Sequence, residues 1–382
     1  MIQHIKLFTP GPGDVDEEVL ACMATPVLRH FGPEWLQIHH DLIALLRQFY
    51  QTQNDLFMVP GPASACLDMA IGSLVGNGEQ VIVGSNGFFG DRLVEIAQGY
   101  GAQVVPFTAP LGSPLDPDEL RRLIAQHPQA KVVALVHHET STTVLNPLEA
   151  LAKVAKAAGK VMVVDAVASL GGVPLDVDGW GIDVCVVAAN KCLEALPGIA
   201  FISVSPQAWE LVDQHTSTCH GWYLNLKTWR YYYTEWAAWH PSPVTLPVNI
   251  LLAVRTRMHR ILEGGLEAHF ARYVRASQAV RHGLQNIGYE MFVPEQFAAP
   301  IVTAVKARPE FEVGELTKWL VSQRQMAVGG GLAALAGKIF RVGHLGKAAE
   351  REYVVDFLSA NEDFLRSKGL DIPPGAAVAG WK

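Results

Sequence analysis

The chain has 382 residues, of which 49% are hydrophobic and 18% charged, a balance that suits a large globular protein with more than one core. A formal net charge of −7 without a long basic run argues against a nucleic-acid partner, and no stretch is apolar enough to span a bilayer, so no membrane partner is expected. The amino terminus lacks a signal-peptide core, and the five cysteines, Cys22, Cys66, Cys185, Cys192 and Cys219, have no metal spacing, which fits a cytoplasmic protein without a metal site.

Residues 1–13, with Pro10-Gly11-Pro12, read as an extended arm, and Asp14 with Glu17 offers a capping-box-like helix start. From Leu56 onward, short apolar runs alternate with helical segments. Strands are predicted at 56–59, 80–83, 102–107, 131–136, 160–165, 183–189 and 199–205. Helices are predicted at 64–75, 88–99, from Pro117, and at 147–158. Continuous Val/Ile-rich strands separated by helices predict an α/β fold with a mostly parallel sheet covered on both faces. The aromatic stretch 206–245 reads as a crossing segment. Helices at 247–263 and 266–286, strands at 300–305 and 338–343, and a last helix at 347–367 predict a smaller α+β domain. The expected division is an arm over 1–13, a large domain over 14–248 and a small domain over 249–382, with a frayed tail from Asp371.

In parallel sheets, ligands bind beyond the carboxyl ends of the strands. Two charged residues fall there: Asp165 after VMVV, and Lys191 after the run Val184–Ala189. A carboxylate at a buried strand end is costly unless a cation meets it, or unless it caps the next helix. A desolvated amine can bond an aldehyde, although a lysine at a strand end can also be a plain surface residue. The turn VPGPASAC, 59–66, enters a helix whose N–H groups at Ala63, Ser64 and Ala65, with the Ser64 hydroxyl, suit a phosphate. Phe88 and Phe89 fill the next strand-to-helix turn, where an aromatic stacks on a planar ring or simply joins the core. Arg341, in IFRVGHLG, offers a fork for a carboxylate or for a surface salt bridge. Neighbouring His137 and His138 point to opposite faces of a strand and make a poor chelate.

Together these residues resemble the class V aminotransferases of the pyridoxal-phosphate fold type I enzymes, nearest the alanine–glyoxylate and serine–pyruvate or serine–glyoxylate branch. The likeness is carried by VVDAVASLGG, 163–172, and NKCLEALPG, 190–198, and runs more weakly from FTPGPGDV to FRVGHLG. It implies a large sheet-bearing domain with a smaller C-terminal α+β domain, a pyridoxal 5'-phosphate cofactor, and a homodimer with active sites at the subunit interface. Lys191 is implied to be the Schiff-base lysine, Asp165 the partner of the pyridine nitrogen, Val167 the apolar residue under one ring face, and Phe89 the stacking aromatic. Ala63 and Ser64 match the phosphate turn, and Asn190 matches a phosphate or cofactor contact. Ser141 or Thr142, in HHETSTTVLNP, is implied to lie near the ring oxygen or phosphate. Ser242, in WHPSP, is implied to act across the dimer interface. Arg341 matches the arginine for the substrate carboxylate, and Gly11 lies in the arm that lines the substrate pocket. Pro62, Ala188-Ala189 and Phe89 depart from the family's usual Ser, Gly-Ser and Trp, removing a phosphate donor and some stacking area.

The implied reaction moves an amino group from a small amino acid, of alanine or serine type, to a 2-oxo acid such as glyoxylate or pyruvate. In it Lys191 carries the proton between the substrate Cα and the cofactor. Alternatives in the same fold are 2-aminoethylphosphonate–pyruvate transamination and a non-transaminating enzyme or cofactor-binding protein. A cysteine desulfurase is disfavoured, because no cysteine follows Cys219.

Overall fold

The computed structural model describes residues 4–215 and 221–381; Cys219 lies outside the described residues. The strands in chain order are β1 (Lys6–Phe8), β2 (Asp55–Pro60), β3 (Gln80–Ser85), β4 (Gln103–Thr108), β5 (Val132–Val136), β6 (His138–Glu139), β7 (Val144–Leu145), β8 (Val161–Asp165), β9 (Val184–Ala188), β10 (Ile199–Val204), β11 (Val302–Lys306), β12 (Met326–Gly330) and β13 (Ile339–Gly343).

A seven-stranded sheet has the order β2-β10-β9-β8-β5-β3-β4. Every neighbouring pair is parallel except those made by β10, which runs against both β2 and β9. The strands read as unbroken apolar runs because both faces are covered. Successive side chains enter opposite cores: Val163, Val184 and Val186 go to one, Val164, Cys185 and Val187 to the other. Helices Ala63–Leu74, Phe88–Gly99 and Pro206–Gln214 cover the first face. Helices Pro33–Tyr50, Leu148–Ala157 and Val248–Gly264 cover the second.

From β3 the chain steps outward to the edge strand β4, then crosses back to lay β5 on the other side of β3. That reversal opens a crevice beyond the carboxyl ends of β3 and β5, beside the end of β8. Asp165, the last residue of β8, keeps the parity of Val163 and so points to the first face.

A second sheet of four strands has the order β1-β12-β13-β11 and packs against helices Leu266–Asn286 and Arg351–Ser367. Lys6–Phe8 is thus an edge strand parallel to β12, and the chain leaves it toward the end of the large sheet. Among the described residues, no helix is long and apolar enough to cross a membrane.

Three expectations change. Asp14 does not cap the first helix, which spans Glu17–Ala21 after Asp16; its carboxylate accepts the Leu7 N–H at 3.1 Å instead. The last helix starts at Arg351, after a short turn over Lys347–Ala349. The tail is not frayed. Glu362, buried on the last helix, accepts the N–H groups of Gly375 at 2.9 Å and Ala377 at 2.7 Å. Gly283 allows this approach, because a Cβ there would stand 2.5 Å from the Ala377 carbonyl oxygen. Proline and glycine composition pointed to fraying, but a buried carboxylate supplies the partner that the backbone needs.

Ending the chain at Pro373 removes both N–H donors of the Glu362 carboxylate, leaving Arg366 at 3.5 Å, and uncovers apolar surface, so we expect a loss of about 2–4 kcal/mol in urea unfolding. An unchanged midpoint would contradict this docking.

Candidate active site

Lys191 follows β9 by a tight turn and is half-buried. Its Nζ donates to the Pro10 carbonyl at 2.7 Å. Gly11, at φ 121°, lies so close that a Cβ would stand 2.2 Å from Nζ, so only glycine lets the arm cover the amine. The Asp165 Oδ1 accepts the Val167 N–H at 2.9 Å, and no other hydrogen-bond partner reaches the carboxylate among the described residues. Burial pushes Asp165 up to about 6; the Val167 N–H opposes this, Glu139 adds to it, and Arg92 and Lys191 oppose it. Burial pushes Lys191 below the ordinary lysine value, with Arg341 and Arg92 adding to the shift while Cys192 and Asp165 oppose it. The charge of each group acts on the other.

Helix Ala63–Leu74 begins after Pro62, which provides no side-chain cap. The Ala63 and Ser64 N–H groups have no partner among the described residues. The Ser64 hydroxyl accepts from Arg92 Nη1 at 3.3 Å. The Arg92 guanidinium lies 5.3 Å from the Phe88 ring centre and 4.9 Å from that of Phe89. It pairs with no carboxylate among the described residues, which leaves a cation at the open end of a helix dipole. Phe89 and Val167 are both half-buried against the first-face core. Asn190 is half-buried with no hydrogen-bond partner among the described residues.

Ser141 and Thr142 serve a different local purpose. Glu139, fully buried, accepts the N–H groups of Phe89, Gly90 and Ser141, each at 3.0 Å, and the Ser141 hydroxyl at 2.6 Å. The Ser141 Oγ in turn accepts the Phe88 N–H at 2.9 Å, and the Thr142 hydroxyl lies 3.4 Å from the Asn86 and Glu139 carbonyls. The β6–β7 turn therefore braces the start of helix Phe88–Gly99. Burial raises the Glu139 carboxyl above its ordinary range despite these donors. Thr143 sits at φ 69°, a strained setting for a β-branched residue.

Arg341, on β13, is 6% exposed. Its Nε donates to the Gly330 carbonyl at 2.8 Å and its Nη1 to the Thr140 carbonyl at 2.9 Å. Burial lowers it to about 10, opposed by Glu139. No carboxylate pairs with it among the described residues, and its Nη2 lies beside Gly329, close to Pro10. Ser242 is not with the others. It is 1% exposed, donates to the Val244 carbonyl at 3.0 Å, and shares a crevice with His39, Tyr233 and Leu246.

The sequence reading missed Arg92, Glu139 and Glu194, whose partners lie far along the chain. The arrangement fits a ring with a cationic nitrogen and a phosphate: an under-bonded buried carboxylate, a covered amine, open helix N–H groups and an unpaired guanidinium.

The comparisons agree. The chain matches the aminotransferase class-V family over residues 24–333 and belongs to it. It is a pyridoxal-phosphate-dependent aminotransferase, acting between amino acids and 2-oxo acids. The structure of ureidoglycine–glyoxylate aminotransferase from Bacillus subtilis superimposes with a TM-score of 0.94 at 29% identity, covering 100% of this chain and 98% of that one. Alanine–glyoxylate aminotransferase from Nostoc sp. gives a TM-score of 0.91 at 31% identity, covering 96% of both chains. A protein of Synechococcus sp. named as the small subunit of a soluble hydrogenase is 36% identical, over 99% of this chain and 98% of its own.

Asp165 carries a pH signature. Its folded value, about 6, lies above its ordinary 3.8. The folded protein therefore holds that proton more tightly, and the associated stability, complete below the ordinary value, is lost as pH rises through about 6. We expect cofactor-free Asp165→Asn to be more stable than wild type at pH 7.5 by roughly 2 kcal/mol, and the difference to vanish near pH 4. Parallel stability–pH curves for the two proteins would contradict this.

Proposed function

We propose that this aminotransferase takes the amino group from a small amino acid, of alanine or serine type, and delivers it to glyoxylate or pyruvate. One observation carries the reading: the buried Arg341 guanidinium, with no carboxylate partner among the described residues, has its Nη2 close to Pro10, whose carbonyl accepts from Lys191. The relatives named for glyoxylate support the acceptor. The closeness of Pro10 and Gly11 to Lys191 supports a small side chain on the donor.

When bound, the cofactor supplies an aldehyde to hold the amino group and a ring that withdraws electrons from the substrate Cα. Lys191 is the residue that bonds that aldehyde. Burial pushes its amine below the ordinary lysine value, which favours the neutral form that acts first as nucleophile and then as the base for the substrate Cα proton. Asp165 would hold the ring nitrogen protonated, and Val167 and Phe89 would hold the ring. The Ala63 and Ser64 N–H groups, the Ser64 hydroxyl and Arg92 hold the phosphate, with Asn190 beside Lys191. Ser141 sets that end through the Glu139 carboxylate and the Phe88 N–H, and Thr142 through the Asn86 carbonyl. Arg341 holds the substrate carboxylate under Gly11 of the arm.

A cytoplasmic homodimer fits the same picture. Cys22, Cys66, Cys185 and Cys192 are free thiols. Trp222, Tyr231, Trp236 and Trp239 are between 38% and 55% exposed, an aromatic surface that suits a second copy. Ser242 fixes the shape of the adjoining turn, which in the dimer reaches the other subunit's phosphate.

An Arg341→Met protein should keep cofactor absorbance but lose about 100-fold in kcat/KM, mostly through KM, in a screen of amino donors with glyoxylate and pyruvate. Turnover of 2-aminoethylphosphonate above that of alanine and serine, unaffected by Arg341→Met, would overturn the reading.

A further inference from the structure

Three residues beyond Lys191 stands a buried carboxylate that the chemistry above does not use. Glu194 is 3% exposed and sits at φ 52°, in the left-handed region. Its N–H donates to the Lys191 carbonyl at 3.0 Å, and the next N–H, of Ala195, donates to the Ala189 carbonyl at 3.0 Å. The loop that carries Lys191 is therefore closed on itself, and Glu194 is its outer end.

The Glu194 side chain is gripped from the opposite side. Oε2 accepts from Arg257 Nε at 3.0 Å and also from its Nη2. Oε1 accepts from Arg272 and from the Tyr273 hydroxyl, and His269 lies 3.9 Å away. Burial would push this carboxyl up, but Arg272, His269, Arg257 and Tyr273 hold it at about 2. Arg257 lies in helix Val248–Gly264, and Arg272 and Tyr273 in helix Leu266–Asn286. The same Arg257 donates to Asp16 at 2.5 Å, just past the arm whose Pro10 carbonyl accepts from Lys191. One arginine thus ties both the lysine's loop and the arm that covers the lysine.

We propose that Glu194 is a positioning residue for Lys191, locking its loop to the two long helices so that Nζ stays under the arm. The effect is geometric. The largest charge effects on Lys191 come from Cys192, Asp165, Arg341 and Arg92, and loss of the Glu194 charge by itself would lower the lysine value, the opposite of what an opened loop does. Lys191 also acts on His138 across the site. Loosening the loop would let water reach Nζ and relax the burial that lowers its pKa.

The inference rests on the assignment of Lys191 made above, and its test reads the lysine itself. In full-length protein dialysed free of cofactor, pH-dependent acetylation of Lys191, followed by peptide mass spectrometry with exposed Lys153 as control, gives the amine's titration midpoint. For Glu194→Gln we expect the Lys191 midpoint to rise by about one unit, with Lys153 unmoved. For Tyr273→Phe, which removes one hydrogen bond and leaves both arginines, we expect a smaller rise in the same direction. If Glu194→Gln does not fold, Tyr273→Phe alone decides. A lowered melting temperature with the Lys191 midpoint within about 0.2 unit of wild type would overturn the proposal and leave Glu194 a structural ion pair. Borohydride trapping of the cofactor on Lys191 in the same variants separates this failure from a wrong assignment of the lysine.

Discussion

Everything in this site follows from placing one carboxylate at the buried end of a central strand. Asp165 has a single N–H donor and no cation in hydrogen-bonding contact among the described residues, and burial pushes its carboxyl toward neutrality. Lys191 suffers the converse pressure and is pushed toward the neutral amine. Burial disfavours the charged form of both groups at the same edge of the same sheet. A ring with a protonated nitrogen would relieve the first, and a covalent bond at the amine would relieve the second. The fold therefore prepares binding and chemistry by the same act of desolvation.

The surroundings carry the complementary charges. Arg92 and Arg341 stand without carboxylate partners among the described residues, one at the open start of a helix and the other on the small sheet beside the arm. Two separate anions, a phosphate and a carboxylate, are thus expected at opposite ends of one site. The large sheet provides the lysine, the aspartate and the helix start. The small sheet provides Arg341, and through β1 it also carries the arm to Lys191. The guanidinium and the cover thus belong to the same four-stranded sheet. Glu139 and Glu194 anchor the two flanks, each by satisfying several donors with one buried carboxylate.

Much of this was legible in the chain. Unbroken Val/Ile runs gave the buried parallel strands, and the polar residues that end them, Asp165 and Lys191, marked the ligand edge. Local signals did less well where tertiary contacts decide. Helix Pro33–Tyr50 went unread although its apolar residues are buried, and the short strand β12, with two glycines, has little strand signature. Asp14 looked like a cap but is spent on Leu7, and the Pro/Gly-rich tail finds a partner in Glu362. Arg92, Glu139 and Glu194 could not be singled out from sequence, because their meaning lies in partners 28 to 79 positions away. Ser141 and Thr142 were picked for the cofactor, yet their hydroxyls are engaged by the backbone and by Glu139.

The most direct measurement is to reduce the holoenzyme with borohydride, digest it, and find the modified peptide by mass spectrometry. The account requires a single pyridoxyl adduct, on Lys191, absent from Lys191→Ala. An adduct on a different lysine, or tight binding of the cofactor with no covalent adduct at all, would contradict it.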